Sequence, residues 1–365
     1  MYDVVVVGAG IGGLTVAALL SARGLSTCLL ERQSQVGGCI GRVEFSGYDF
    51  EPGMGLYTSF GAGRIYEQIF FQLPVEPPAA SLITSHYTKR SIDGSDVTLS
   101  QDDLYAIDGG PASLAERLAE SLKLSGGNLR LNSPVLRLAY DDANRAIGVD
   151  LLSGERVQAR KAIVSNMTVW DTYGKLVGLN RTPPEIKKQL NTLRGTGVYI
   201  VYAVLEATAV GRLPGELMLV QDGEGEFTMA IAPASRAAGG KRAVTFTCRT
   251  EVEPWFAYQS SVEDYEEWDQ DALEQFWTRL HRAIPELGSD IEIIESANPR
   301  SYYEQTRRKL GMVLGVESTV KPTSRTFLPN VFMVGDTVSA AANVESVVEM
   351  ALILAQEISG QTLIV

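Results

Sequence analysis

Three glycines near the start of the chain have the spacing that a phosphate group requires of a polypeptide backbone. Gly8, Gly10 and Gly13 follow the apolar run DVVVV in the order G-x-G-x-x-G. The first glycine permits a tight turn, the second lets a pyrophosphate approach the backbone, and the third lets a helix pack closely on the strand. The helix that begins here would offer free N–H groups and a positive dipole end to the phosphate. The spacing therefore predicts a bound dinucleotide.

An acidic residue follows where a ribose would need one. Glu31 ends a second apolar run, and an acid about 20 residues after the glycines can accept hydrogen bonds from both ribose hydroxyls. A lone glycine motif is weak evidence and is also found in ordinary turns. Here strand, glycines, helix, strand and acid occur in the order of a nucleotide-binding unit, which favours the functional interpretation.

A second glycine-rich stretch, VGGCIGR, comes directly after the acid. Gly37 and Gly38 place bare backbone near the predicted ribose site, and Arg42 is near enough in sequence to contact a phosphate. The alternative is a turn-rich loop without a ligand. Irregular, glycine-dense backbone beside a nucleotide-binding fold is what close approach of a cofactor requires.

A parallel sheet is needed to bring these residues together, and the hydrophobic pattern predicts one. β-Branched runs of the kind found in buried parallel strands precede the glycines and, late in the chain, precede Gly335 and Asp336. The elements predicted around the motif are a strand over 3–7, a helix over 14–23, a strand over 26–30, a meander of short strands over 128–165, a strand over 330–334 and a helix over 340–358. This order predicts an α/β fold with a Rossmann-like domain.

The rest of the chain has a different hydrophobic pattern. Residues 81–100 alternate between apolar and polar types, and later runs such as GVYIVYAVLEA and KRAVTFTCR also read as strands. Residues 263–284 form a long helical pattern that is rich in acids and aromatics. These elements predict a second α+β domain built on an antiparallel or mixed sheet.

Bulk composition excludes several classes of protein. The chain has 365 residues, 45% of them hydrophobic and 21% charged, and a formal net charge of −12. The charge opposes binding to nucleic acid and gives no attraction toward anionic lipid, although an apolar peripheral contact with a membrane stays open. We expect no transmembrane helix and no signal peptide, and therefore a cytoplasmic protein, with peripheral membrane association as an alternative.

Residues that bind metals or form nucleophilic triads are scarce. The cysteines Cys28, Cys39 and Cys248 have no metal-binding or redox spacing, and His86 and His281 are the only histidines. We therefore expect no metal site, no disulfide framework and no histidine-based triad.

The first and last stretches together resemble two-domain FAD enzymes of the phytoene desaturase, carotene isomerase and amine oxidase superfamily. Four blocks carry the resemblance across nearly the whole chain: VVVVGAGIGGL…LLER, VGGCIGR…GYDFEPG, PVLRLAYDDANRAIGVDLLSGERVQARKAIVSN and LPNVFMVGD. Within the superfamily, GGCIGRVEFSGYDFEPG and SNMTVWDTYGKLVG look most like the branch of carotene isomerases, carotenoid desaturases and retinol saturases. FAD is the cofactor that this resemblance implies.

The resemblance also implies which residues bind the cofactor, although it assigns no catalytic residue. The amide of Val135 would contact adenine, the carboxylate of Asp336 would bind the ribityl chain, and the amide of Val344 would face the flavin pyrimidine. The implied cofactor-binding residues are Gly8, Gly10, Gly13, Glu31, Arg32, Gly38, Arg42, Val135, Gly335, Asp336 and Val344. The implied FAD-binding domain comprises 1–60, 106–167 and 298–365, and the substrate domain comprises 61–105 and 168–297.

Two departures from the family pattern bear on the flavin. Ala341 and Asn343 stand where the branch usually has glycine, so their side chains could crowd the flavin. Cys39 follows the diglycine in place of the usual arginine, which is displaced to Arg42. The chain is also shorter than typical carotenoid desaturases, and the missing length falls in the substrate domain.

Three functions stay open. The first is an FAD enzyme that desaturates, saturates or isomerises an apolar polyene or prenyl chain, because an apolar pocket and the cofactor suffice for such chemistry. The second is an FAD oxidase of a smaller polar substrate such as an amine. The third is a flavin-binding protein without turnover.

Several other side chains have both a functional and an ordinary interpretation. Aromatic and methionine side chains of the substrate domain could line a pocket, but packing in the core is favoured for Tyr57, Phe60, Tyr199, Tyr202, Met218, Met229 and Trp255. A solvent-exposed helix face is favoured for Glu345 and Glu349, a solvated or phosphate-facing cluster for Lys309 with its neighbouring arginines, and a buried structural thiol for Cys39.

Overall fold

The structure is a computed structural model that describes residues 1–41, 43–50, 56–60, 63–257, 262–318 and 321–360. Arg42, one of the predicted cofactor-binding residues, lies outside the described residues, as do Glu51, Pro52 and Gly53 of the block GYDFEPG.

Strands make up the two main sheets and one hairpin. In chain order they are β1 (Tyr2–Val7), β2 (Thr27–Leu30), β3 (Val43–Phe45), β4 (Tyr48–Phe50), β5 (Leu56–Tyr57), β6 (Ala80–Arg90), β7 (Asp96–Ile107), β8 (Asn128–Arg130), β9 (Val135–Tyr140), β10 (Ala146–Leu151), β11 (Arg156–Ser165), β12 (Arg194–Glu206), β13 (Leu217–Asp222), β14 (Gly225–Ile231), β15 (Lys241–Thr250), β16 (Ile291–Ala297), β17 (Val313–Glu317) and β18 (Val331–Met333).

Helices connect and cover these sheets. The α-helices are α1 (Ile11–Ala22), α2 (Ile65–Phe70), α3 (Pro111–Leu124), α4 (Val169–Asp171), α5 (Pro184–Thr192), α6 (Pro254–Ala257), α7 (Val262–Ala283), α8 (Pro299–Thr306) and α9 (Val344–Ser359). A π-helix over Thr172–Gly178 continues from α4. Among the described residues, no helix combines the length and apolar content that spanning a bilayer needs.

The first sheet is parallel at its centre. Strands β8, β2, β1, β11 and β18 pair in that order, each parallel to the next, while β10 and β9 add an antiparallel meander to the first half of β11. Val4, Val5 and Val6 are fully buried, as expected for a central strand covered on both faces. Helix α1 is apolar and buried along most of its length, and it packs between α3 and α9.

The second sheet contains strands from distant parts of the chain. Its order is β16-β12-β15-β14-β13-β6-β7-β5, with β17 also paired to β12. All neighbouring pairs are antiparallel except β13 and β6. Helix α7 covers one face, where Phe276 and Leu280 pack against Phe227 and Phe246 in a separate hydrophobic core. The α/β fold with a Rossmann-like domain and a mixed second sheet is therefore confirmed.

Two strands pair differently from the division suggested by the sequence. Strand β5 hydrogen-bonds to β7 and β17 to β12, both in the second sheet, although the predicted boundaries place 1–60 and 298–365 in the FAD-binding domain. The position of a short strand that lacks a periodic hydrophobic pattern depends on the strands with which it pairs, and it cannot be predicted from the local sequence. The division of the chain into an FAD-binding and a substrate-binding domain stays a proposal.

The last helix begins later than expected. The apolar pattern predicts a helix from residue 340, but α9 starts at Val344 because Asn343 is its N-cap. The side-chain oxygen of Asn343 accepts a hydrogen bond from the backbone N–H of Ser346 over 2.9 Å. An asparagine at this place therefore ends the preceding loop, which follows Asp336 directly.

Candidate cofactor and substrate site

The first glycine-rich turn has a geometry that only glycine allows. Gly8 has a φ of +98°, in the region that favours glycine. A Cβ atom on Gly13 would lie 2.1 Å from the carbonyl oxygen of Gly8, which no backbone adjustment of a few tenths of an ångström would relieve. The turn from β1 into α1 thus depends on the glycines that the sequence singled out.

The start of α1 is free of competing side chains. Gly10 is the N-cap residue and supplies no capping side chain, and the first turn carries no acidic residue. The N-terminal N–H groups of a helix then need an external acceptor, and a phosphate satisfies them with the help of the helix dipole.

The second glycine-rich stretch docks directly on the first. The N–H of Gly37 donates to the carbonyl oxygen of Ala9 over 2.9 Å, and Gly37 forms an isolated β-bridge with Gly10. A Cβ on Gly38 would lie 3.3 Å from the Cα of Gly10. The two loops therefore form one surface of bare backbone, which we call the glycine cradle (8–13 with 37–41). A bulky, polar cofactor fits such a surface because its oxygens can reach the N–H groups.

Glu31 lies at the edge of the glycine cradle. Its carboxylate accepts hydrogen bonds from the N–H of Ala9 over 2.7 Å and from the N–H of Gln33 over 2.8 Å. A carboxylate has about four lone-pair positions, so acceptor capacity is left for a ribose. The N–H of Ser133 donates to the Glu31 carbonyl oxygen, which brings the segment before Val135 to the same place.

Asn166 is a site residue that the sequence analysis did not select. Its N–H donates to the carbonyl oxygen of Val7 over 2.8 Å, and its Nδ2 donates to the carbonyl oxygen of Val334 over 2.9 Å. A Cβ on Gly10 would lie 2.6 Å from the Asn166 Oδ1. Asn166 thus joins the carboxyl ends of β1, β11 and the strand before Gly335, through its backbone N–H to Val7 and its side chain to Val334. Asn166 could have been selected from the sequence because it is an amide residue that directly follows a buried apolar strand ending at Ser165.

Asp336 is held by a half-buried arginine. The Asp336 Oδ2 accepts hydrogen bonds from Arg308 Nη2 over 2.6 Å and from the N–H of Gly315 over 3.1 Å. Arg308 Nε donates to the carbonyl oxygen of Met312. Burial lowers the pKa of Arg308, but the negative charge of Asp336 outweighs this and the pKa of the guanidinium is raised. The ion pair and the bond from Gly315 fix the orientation of the Asp336 carboxylate.

The segment that carries Arg308 has an unusual backbone. Arg307, Leu310 and Leu314 all have φ between +50° and +64°, a region that costs a non-glycine residue about 1 kcal/mol or more. A Cβ on Gly315 would lie 2.7 Å from the carbonyl oxygen of Asp336. Close packing against Asp336 is what holds this strained loop in place.

Lys309 points away from this pair. Its Nζ lies 5.3 Å from the centre of the Trp170 ring, and its N–H donates to Asp171 Oδ2 over 3.0 Å. Lys309 is exposed, in keeping with the favoured interpretation of a solvated residue. The cation beside the predicted ribityl site is Arg308, which the sequence analysis grouped with its neighbours.

The two glutamates of α9 lie in different environments. Glu349 is exposed, as favoured, but Glu345 is half-buried and its Oε1 accepts a hydrogen bond from the N–H of Thr58 over 2.7 Å. Burial raises the pKa of Glu345. The solvated interpretation is therefore wrong for Glu345, because the loop around Thr58 covers the first turn of α9.

The remaining predicted residues are spread around this region. Arg32 is exposed and its Nη2 donates to the carbonyl oxygen of Gln305 over 3.3 Å, while Val344 is half-buried at the start of α9. Ala341 and Asn343 are exposed. The structure brings Gly8, Gly10, Gly13, Glu31, Gly38, Gly335 and Asp336 to one edge of the parallel sheet, and their individual contacts with a cofactor stay predictions.

A cavity lies between the glycine cradle and the second sheet. Its volume is about 530 Å³, and its walls include Gly38 and Cys39 on one side and Tyr202, Tyr265 and Asp269 on the other. Burial raises the pKa of the Cys39 thiol, so this cysteine is not activated as a nucleophile. The seven aromatic and methionine side chains for which core packing was favoured are all buried. Among them, Tyr202 is the one that lines this cavity in the described part of the chain.

Comparison with known families agrees with this geometry. A model described as "NAD(P)-binding Rossmann-like domain" matches residues 6–72, and a model described as "Flavin containing amine oxidoreductase" matches residues 80–359. The second match covers well over half of the chain.

Individual relatives are distant. The chain is 24% identical over 247 residues to a chloroplastic prolycopene isomerase of Arabidopsis thaliana, a match that covers 62% of this chain and 41% of the isomerase. It is 33% identical over 104 residues to a carotenoid 3,4-desaturase of Haloarcula japonica, which covers 28% of this chain and 20% of the desaturase. The chain thus spans less than half the length of the curated relatives it matches.

A solved structure of an oxidoreductase from Methanosarcina mazei shares the fold, with a TM-score of 0.74 at 14% identity over 97% of this chain and 99% of that one. FAD is the cofactor that the family and the fold support. The glycine cradle and the match over residues 80–359 lead to the same conclusion, which is that this chain belongs to the flavin containing amine oxidoreductase family.

Proposed function

We propose that this chain is an FAD-dependent oxidoreductase that desaturates, saturates or isomerises a polyene or other isoprenoid chain. The observation that carries the proposal is the similarity to a prolycopene isomerase and a carotenoid 3,4-desaturase in a chain of the flavin family. The paucity of histidine and the raised thiol pKa of Cys39 offer no alternative nucleophile in this part of the chain.

In this proposal the protein binds and orients, and bound FAD supplies the exchange of hydride or electrons. The N–H groups at the start of α1 hold the pyrophosphate, and Glu31 accepts from the ribose hydroxyls. Arg308 fixes the carboxylate of Asp336 so that its second oxygen is presented to the ribityl hydroxyls. The N-cap Asn343 positions the amide of Val344 for the pyrimidine edge of the flavin.

Burial at the start of α9 supports an environment shielded from water. Glu345 is covered by the loop at Thr58, next to the stacked rings of Phe60 and Tyr66, whose centroids are 4.2 Å apart. Exclusion of water protects reduced flavin and reactive intermediates from side reactions.

A second candidate is oxidation of a smaller polar substrate such as an amine. The observation that favours it is the cavity beside the glycine cradle, because its wall contains the carboxylate of Asp269 together with tyrosine side chains. A purely apolar substrate offers no partner to a half-buried carboxylate.

Anaerobic mixing of the purified flavoprotein with candidate substrates tests both functions. We expect phytoene, lycopene or a related polyene to change the absorbance of the flavin, whereas primary amines leave it oxidised. Bleaching by amines alone would favour the second candidate. A flavin that only dithionite reduces would count against both and favour a binding protein without turnover. Expression in cells that make phytoene or lycopene, followed by pigment analysis, gives an independent readout.

A further inference from the structure

A hydrogen-bonded cluster lies on the wall of the cavity that faces the glycine cradle. Asn298 Nδ2 donates to the phenolic oxygen of Tyr265 over 2.8 Å and to Asp269 Oδ1 over 2.9 Å. All three side chains line the cavity. Asn298 is buried, while Tyr265 and Asp269 are half-buried, so the two latter groups face the space rather than bulk solvent alone.

The hydrogen-bonding capacity of Asn298 is fully used. Its Oδ1 accepts from the N–H groups of Arg300 and Ser301 over 2.9 and 3.0 Å, which caps α8. Asn298 therefore sets the positions of Tyr265 and Asp269 but offers nothing to a ligand. Because its amide orientation is fixed by the cap, the two donor hydrogens must point at these two groups.

One donor and one acceptor are left over in the cluster. The phenolic oxygen of Tyr265 accepts from Asn298, and among the described residues its O–H donates to none. Asp269 Oδ1 is paired, and Asp269 Oδ2 accepts from no described residue. A partly buried donor and acceptor that lack protein partners are best satisfied by a group that offers the complementary pair.

We propose that this cavity binds an alcohol, whose oxygen accepts from Tyr265 and whose hydrogen is donated to Asp269 Oδ2. An ammonium ion has no lone pair for the Tyr265 O–H and would leave that donor without an acceptor, whereas a hydroxyl group satisfies both side chains. The inference deepens the proposed function, on which it rests, by giving the isoprenoid substrate a hydroxylated end.

The remaining walls suit the body of such a molecule. The rings of Phe45 and Tyr202, with centroids 5.5 Å apart, border the cavity and would pack on an apolar chain. Its volume of about 530 Å³ is within the range of ligand sites, which is roughly 300–1,000 Å³. Burial raises the pKa of Asp269, and a neutral ligand is compatible with that environment.

The cavity also lies close to the predicted flavin site. Cys39 lines the cavity and is near enough to Arg308 and Asp336 to be affected by both charges. Tyr302 lines the same wall and is buried against Cys39 and Tyr202. Cys39 is thus a residue that both the proposed alcohol site and the surroundings of the Arg308–Asp336 pair share.

Binding of a matched pair of polyenes tests the inference without turnover. The probes are all-trans-retinol and its methyl ether, titrated into the oxidised holoprotein in the absence of a reductant, with retinoid fluorescence as the readout. The ether still accepts from Tyr265 but donates nothing to Asp269. We therefore expect retinol to bind about tenfold more tightly than the ether, the effect of one lost hydrogen bond to a charged group.

Substitutions of Asp269 and Tyr265 should change the two dissociation constants in different ways. Asp269→Leu should bring the ratio of the two dissociation constants close to one. Tyr265→Phe should weaken both ligands by about fivefold and leave their ratio unchanged, because both ligands accept from its O–H. Asp271→Leu, at an exposed position on α7 that is not part of the cavity lining, is the control and should change neither constant. Flavin content and absorbance report whether each variant is folded.

Equal affinity of the wild-type protein for the two probes would overturn the inference, as would failure to bind either one. An unchanged preference in a folded Asp269→Leu protein would do the same. If Asp269→Leu does not fold, the inference is tested by the ratio of the two dissociation constants in the wild-type protein and by the affinities of Tyr265→Phe. Because no reduction of flavin is measured, a protein that discriminates the probes but reacts with no polyene would contradict the proposed function and leave the alcohol site standing.

Discussion

The glycine cradle and the cavity wall opposite it are built from different kinds of groups. The cradle consists of backbone groups from two loops that are close in sequence, and the side chain of Asn166 lies beside Gly10 and Gly13. The cavity wall opposite the cradle consists of side chains from β12, α7, β16 and the start of α8, which meet only in the folded chain. A backbone surface suits a cofactor shared by a whole family, whereas a side-chain surface is free to vary with the substrate.

The largest effect that this comparison predicts is at Gly13. In Gly13→Ala the new Cβ meets the carbonyl oxygen of Gly8 at 2.1 Å, so we expect a loss of about 3 kcal/mol in the free energy of unfolding, together with loss of bound FAD. Denaturant unfolding and the flavin content of the purified protein measure the two effects.

Gly24→Ala is the matched control for that variant. Gly24 has a φ of +81° and an open space around its Cβ position, so the substitution should cost only about 1 kcal/mol of backbone strain and retain the flavin. Gly13 has no left-handed φ, so losses of stability and flavin in Gly24→Ala as large as those in Gly13→Ala would show that the tight contact inside the cradle has no special effect.

The next largest effect is expected at the ion pair between the two regions. Arg308→Met leaves Asp336 partly buried without its cation, at a cost of about 2 kcal/mol in stability and with weaker binding of FAD. The double variant Arg308→Met/Asp336→Asn removes the unpaired charge and should recover part of the stability. Equilibrium unfolding and flavin titration of both proteins check this, and a double variant that is no more stable than the single one would contradict it.

A smaller effect is expected at the cap of α9. Asn343→Ala removes the acceptor for the N–H of Ser346 and should cost about 1 kcal/mol, whereas Asn343→Gly should cost only a few tenths. If Asn343 serves mainly as a cap, the glycine that is usual in related enzymes will leave the flavin spectrum unchanged. A shifted spectrum in Asn343→Gly would instead indicate that the asparagine side chain touches the flavin.

The smallest effect is a pH dependence at Glu345. Because burial raises its folded pKa above the unfolded value, its contribution to stability is complete at low pH and is lost as the pH rises through the folded pKa. Glu345→Gln keeps the acceptor for Thr58 but does not titrate. The stability difference between variant and wild type should therefore shift in favour of the variant as the pH rises, and a constant difference from pH 4 to 8 would exclude this.

The parts of the molecule that could be predicted from sequence are those governed by local rules. The turn at Gly8, the helix that follows the glycines and the late strand before Gly335 follow from spacing and hydrophobic runs. The start of α9 was placed too early because an apolar run was given more weight than the capping preference of Asn343.

The features that could not be predicted depend on contacts between distant residues. Arg308 and Asp336 are 28 positions apart, and Asn166 and Val334 are 168 positions apart. The sequence RRKLG does not indicate that Arg308 is half-buried while Arg307 and Lys309 are exposed. The left-handed backbone at Arg307 and Leu310 sets the direction of these side chains. The pairing of β5 and β17 with the second sheet is equally non-local.

The bonds of Asn166 have a consequence for the order in which the protein matures during synthesis. The backbone N–H of Asn166 donates to Val7 at the end of β1, and its side-chain Nδ2 donates to the carbonyl oxygen of Val334. Val334 leaves the ribosome more than 300 positions after Gly8. The N-terminal nucleotide unit is therefore translated early but completed late. We expect ribosome-bound chains that end before Val334 to retain no FAD, and chains that extend past α9 to retain it.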